Sequence, residues 1–155
     1  MDDFGPFGET KLKKILDLGY PAVHDHLAEI MVWLQDVNWP GSMQIGDFLV
    51  SIGEPVIPHV KQVFANHDTE WKRNVVSQMV ERWPREFVVQ IESELMKLIW
   101  NESGNLDIEV MFILLKHKLG NEAEIRRRVE DKIISSEIRL RELRKIEDHL
   151  STYGA

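Results

Sequence analysis

Apolar residues recur at intervals of three and four along nearly the whole chain, the spacing of amphipathic helices. Leu12, Ile15 and Leu16 open the series, and Gly19 stops the first helix where a left-handed glycine follows a last turn. Pro21 fits a first helical turn, and Val23, Leu27, Ile30, Met31 and Leu34 form the second stripe. Ser42 is the candidate cap of a third helix bearing Ile45, Phe48, Leu49 and Ile52 and ended by Gly53. Pro55 restarts the chain, followed by Val56, Val60, Val63 and Phe64, with Pro58 in a first turn where a missing N–H costs little. Asp68 reads as the N-cap of the next helix, whose stripe is Trp71, Val75, Val76, Met79, Val80 and Trp83. Pro84 begins another, carrying Phe87, Val88, Ile91, Leu95, Leu98 and Ile99. Asn101 to Asn105 is the clearest loop. A very apolar helix follows over about Leu106 to His117, its run Val110 to Leu115 expected to be buried, and Gly120 ends it. No stretch alternates with period two for long enough to make a strand. The pattern predicts an all-α chain of about eight helices with no sheet.

The helices repeat. Leu18-Gly19-Tyr20-Pro21-Ala22-Val23 returns as Ile52-Gly53-Glu54-Pro55-Val56-Ile57, a shift of 34 residues. Asp36-Val37-Asn38-Trp39 returns as Asp68-Thr69-Glu70-Trp71, a shift of 32. Trp83-Pro84 and Leu119-Gly120 fall at the turns of the two following periods. Two kinds of match with nearly one shift imply a period of about 33 residues and stacked helix pairs, a HEAT-like α-α superhelix. A hairpin of that size cannot bury its apolar face alone, so stacking supplies the core. The chain reads as one domain, 1–155, with a repeat body at 1–120 and a helical cap or extension at 121–155. From Glu122 to Leu150 there is no proline or glycine, so one long helix, or two meeting near Ser135-Ser136, is expected. Its stripe, Val129, Ile133, Leu140, Leu143 and Leu150, is interrupted by Ser136 and Glu147, and Ile134, Ile138 and Ile146 form a second row. Packing back on the last repeat and pairing with another chain both fit that pattern.

Trp33-Leu34-Gln35-Asp36-Val37-Asn38-Trp39-Pro40, followed by Gly53-Glu54-Pro55-Val56-Ile57-Pro58-His59 and Trp71-Lys72, resembles a family of small bacterial domains of unknown function. The resemblance runs from about Lys11 to Ile99, and its W-L-Q-D-x-N-W-P element is long and compositionally unusual. The segment from about Asn121 looks like an addition outside that pattern. The resemblance implies a helical, HEAT-like fold, and it implies no activity and no catalytic residues.

Composition narrows the classes further. The 43% hydrophobic and 29% charged residues of this 155-residue chain suit a globular domain that buries roughly two thirds of its unfolded surface. No apolar run approaches the ~20 residues of a spanning helix, and the segment Met1 to Pro6 has neither the basic nor the apolar region of a secretory leader. The chain has no cysteine, which excludes disulfides and thiolate metal sites and accords with an expected cytoplasmic location. Residues 121–155 hold eight basic and eight acidic groups. The rest therefore holds 19 − 8 = 11 basic and 26 − 8 = 18 acidic groups and supplies the whole net charge of −7. An acidic body argues against nucleic acid, whose phosphates need clustered Lys and Arg, and favours a basic protein partner.

The candidate binding surface is Asp36, Asn38, Trp39, His59, Asp68, Trp71 and Lys72. The repeat sets Trp39 and Trp71 at equivalent points, expected just inside successive helix starts, each three residues after an Asp. Aromatic rings amid polar groups are what binding hot spots use. Packed tryptophans and capping aspartates account for the same residues without any site. His59 offers a pocket donor or base, or a structural histidine. His24 and His26, two apart, point about 200° from each other on a helix and so fail as a metal pair. His117 suits a helix C-terminus. Arg126-Arg127-Arg128 spreads around its helix beside Glu122, Glu124, Glu130 and Asp131 and reads as a solvated face. No metal, cofactor or catalytic set is expected. The leading expectation is a non-catalytic protein-binding module, an adaptor or a neutralising partner of a basic protein. The alternatives are an enzyme using its concave face, in the manner of HEAT-like DNA glycosylases, and a structural subunit that self-associates through its C-terminal helix.

Overall fold

Two of the apolar stripes end where the backbone takes a positive φ at a glycine. Gly19 (φ 64°) closes α1 (Glu9–Leu18), its N–H bonded to Ile15 O, and Gly53 (φ 81°) closes α3 (Ser42–Ile52). Only glycine holds such angles without strain, so both helices stop where their stripes do. The computed structural model describes residues 4–6, 8–101 and 103–154. The leader reading of Met1 to Pro6 lies in part, and the loop residue Glu102 wholly, outside the described residues.

Between those stops come α2 (Leu27–Met31), α4 (Ile57–Phe64), α5 (Thr69–Gln78), α6 (Arg85–Val88), α7 (Glu92–Leu98), α8 (Leu106–Lys116) and α9 (Glu122–Tyr153). Tighter 3₁₀ turns extend several of them. His24–His26 and Val32–Gln35 flank α2, Glu54–Val56 leads into α4, and Val89–Ile91 joins α6 to α7. Counted as continuous runs these make about eight helices, and no strand occurs among the described residues. The fold is all-helical and consistent with a HEAT-like helical bundle.

The chain falls into two compact units, Met1–Gly120 and Asn121–Ala155. In the first, α5 is central: it packs against α3, α4, α8 and the turn Val32–Gln35, while α7 packs on α8. The core follows the predicted stripes, with Ile15, Val23, Leu27, Ile30, Leu34, Ile45, Leu49, Val60, Val75, Val76, Met79, Ile91, Leu95, Ile99, Val110 and Leu114 buried. Polar contacts on the surface keep the same beat. Arg82 reaches Asp47 (2.7 Å), Gln90 reaches Glu54 (3.0 Å), Arg85 Nε donates to His117 O (3.0 Å) and Lys116 to Glu81 O (3.5 Å), the partners lying 32 to 36 residues apart. One helix pair is thus tied to the next at the sequence period.

Two local expectations change. Ser42 is no cap: Gly41 (φ 89°) precedes α3, and the buried Ser42 hydroxyl donates to Trp33 O at 2.9 Å. The apolar run in α8 is buried on one side only, since Ile108, Phe112 and Leu115 are exposed, Phe112 by 70%. The N-terminal residues also have a structural role. Phe4 is buried, its carbonyl accepts from Trp33 Nε1 at 2.8 Å, its N–H donates to Glu29, and its ring stacks on His26.

The second unit is α9, a single helix of 32 residues with no break at Ser135-Ser136. Asn121 caps it by accepting from Glu124 N at 3.0 Å. Ile125 and Arg128 are its buried residues.

Candidate functional site

Asp68 takes the predicted position. It begins α5, and its Oδ1 accepts from Trp71 N at 3.0 Å, while Lys72 N bonds to Asp68 O at 3.2 Å. Its own N–H is held by Asn66 Oδ1 at 2.9 Å, so two Asx residues fix one turn. The Trp71 ring is half-buried, with Nε1 donating to Met31 O at 3.1 Å across the helix interface.

Asp36 and Trp39 sit differently from their repeat partners. The 3₁₀ turn Val32–Gln35 ends at Asp36, which is extended, and residues 37–40 form a turn before α3 begins at Ser42. Trp39 therefore lies in that turn, not inside a helix start. The Asp36 Oδ1 still accepts a backbone N–H, here from Asn38 at 2.8 Å, and Trp39 N bonds to Asp36 O at 3.1 Å. Both aspartates thus make the same kind of local closure, one opening a helix and the other leaving one. The cause is the chain after each: Pro40-Gly41 follows Trp39, and Gly41 takes a left-handed angle that restarts the helix late. Asn38 is exposed, and Asp36, Trp39 and Lys72 are partly exposed.

Asn74 joins the two clusters. Fully inside, at 3% exposure, its Nδ2 donates to Leu34 O (3.0 Å) and Gln35 O (3.2 Å). Those are the carbonyls just before Asp36, so one amide anchors the Asp36 turn to the helix that starts at Asp68. The signal was present in the sequence, a polar residue three after Trp71 on the apolar side of its helix, but the stripe masks it.

His59 belongs to a different neighbourhood. It lies in α4 near His24, whose Nδ1 meets the Tyr20 hydroxyl at 3.3 Å, and near Gln62. Burial lowers its pKa below the ordinary 6.5, the positive end of His24 adds to that, and hydrogen bonding by Gln62 opposes it. Its Nδ1 is buried with no hydrogen-bond partner, which suits a neutral ring. The spacing from His24 to His59 is one repeat, and no single-helix pattern could have paired them.

Chemically, the two turns offer two half-buried aromatic faces and two carboxylates whose positions are fixed by backbone N–H groups. Such fixed groups contact a partner with little loss of side-chain freedom. A family model described as "Domain of unknown function (DUF5071)" matches residues 6–118. That span lies within the first unit, and α9 falls outside it. No curated protein and no solved structure matches the chain.

Proposed function

We propose that this chain, which belongs to the DUF5071 family of domains of unknown function, is a non-catalytic protein-binding module whose working face is the pair of Asp-Trp turns. Asp36, Asn38 and Trp39 form one half of that face, and Asp68, Trp71 and Lys72 the other. The observation that carries the reading is the pairing of a partly exposed tryptophan with a pinning aspartate. Trp33 and Trp83 are buried in the core and Trp100 is exposed just after α7, whereas Trp39 and Trp71 stay partly exposed on turns closed by Asp36 and Asp68. Each ring keeps part of its apolar face in water while the rest packs on the body.

Charge gives the partner its sign. Residues 1–120 supply the whole net −7, so the partner is a basic protein, and phosphate-rich ligands are repelled. The HEAT-like kinship of the repeats, the bacterial origin implied by the Trp33 to Pro40 element, and a cytoplasmic location are parts of the same proposal. An adaptor and a neutralising partner are equally served by this face. His59, which lies near His24 and Gln62, is not included in it.

The test is affinity capture at physiological salt with the wild-type chain and with Trp39→Ser. The wild type should retain a basic protein in stoichiometric amount, and Trp39→Ser should lose at least tenfold in affinity while unfolding at nearly the same denaturant concentration. Equal retention by both proteins, or no stoichiometric partner for either, would sink the reading.

A further inference from the structure

The second unit raises its own question. Helix α9 is 32 residues long, and its apolar side chains from Val129 to Tyr153 are exposed, Ile133 by 52%, Leu140 by 49%, Leu143 by 56% and Leu150 by 67%. A helix with that much apolar side chain in water gains little beyond its own backbone bonds.

The order of these residues identifies an occupant. Ile133, Ser136, Leu140, Leu143, Glu147 and Leu150 are spaced three, four, three, four, three, the a and d positions of a heptad seam. Read from either end, the seam is the same: apolar, polar, apolar, apolar, polar, apolar. Two antiparallel copies in register would stack Ile133 on Leu150, Ser136 on Glu147, and Leu140 on Leu143, each layer occurring twice. Every apolar residue at an a or d position then meets an apolar one, and the two interrupting polar residues meet each other, a hydroxyl against a carboxylate. The flanking e positions agree, because the same register sets Glu137 opposite Arg144 of the second copy, twice over. At the g position Ile146 faces Arg139, whose aliphatic stem covers it.

A parallel pair fails on the same residues. It would place Glu147 on Glu147 inside the seam and Arg139 against Arg144 beside it, and like charges there oppose pairing. Two ion pairs within α9, Arg126–Glu122 (2.9 Å) and Lys145–Glu142 (2.7 Å), use none of the residues assigned to the seam or its flanks. We propose that α9 is a self-association helix, and that two copies of this chain pair through residues 133–150 as an antiparallel, two-fold symmetric coiled coil.

Sedimentation equilibrium of the full chain tests this. From micromolar concentration upward the mass should approach twice 18.1 kDa, and Leu140→Lys should return it to the single-chain value with helicity of the first unit retained. Glu137→Arg and Arg144→Glu should each weaken the dimer about tenfold, and the two together should restore it. Because the chain has no cysteine of its own, an oxidised equal mixture of Ser136→Cys and Glu147→Cys proteins should yield mainly the mixed disulfide. A single-chain mass at every concentration would overturn the proposal. So would a tighter dimer for Arg144→Glu, or a predominance of like-with-like disulfides, since both report parallel pairing.

Discussion

His59 shows how one partly buried group sets a pH dependence. Burial, with His24 adding to it, lowers the folded pKa below the ordinary 6.5. Between that lowered value and 6.5 the unfolded chain holds more protons than the folded one, so stability rises with pH across the window. The contribution is therefore fully present above 6.5 and is lost as pH falls through 6.5 toward the folded value. His117 shifts the same way, by burial first and then by Lys116 and Arg85, and it adds to the slope. Denaturation midpoints measured from pH 7.5 down to 5 should fall for the wild type. For His59→Gln they should fall less steeply. An unchanged slope would mean that His59 titrates alike in both states.

Among the elements, the docking of α5 on the end of the preceding helix pair rests on few polar contacts, of which Asn74 makes two. Trp71 adds a third through its indole N–H on Met31 O. Asn74→Ala would leave the Leu34 and Gln35 carbonyls short of a donor at a buried site. That change should cost about 1–3 kcal/mol, read by urea titration. A loss below about 0.5 kcal/mol would show that the Asp36 turn holds without this amide. The stripes made most elements legible in advance, because apolar spacing and glycine stops are local properties of the chain. Asp68 was readable as a cap for that reason. Trp39 was not, since Pro40-Gly41 delays the helix start to Ser42, where the hydroxyl bonds Trp33 O, a contact between segments. The burial of Phe4 was hidden because it joins segments that no periodicity relates, and the His24–His59 neighbourhood because a repeat spacing does not say which side chains face each other.

At the scale of the whole molecule, the two units divide the work. The first is an acidic, all-helical body whose successive pairs are tied at the sequence period and whose partly exposed tryptophans sit on pinned turns. The second is a highly charged but electrically balanced helix with a self-complementary seam. No helix among the described residues is long and apolar enough to cross a bilayer. The central claim is that protein binding uses the two Asp-Trp turns. It competes with the exposed Ile108, Phe112 and Leu115 of α8, an apolar stripe of ordinary hot-spot composition. Amide hydrogen exchange of the chain, free and with its captured partner, separates them most directly. Binding through the two turns should slow exchange at residues 36–39 and 68–72 with α8 unchanged. Protection confined to residues 108–115, or no protection anywhere in the first unit, would contradict it.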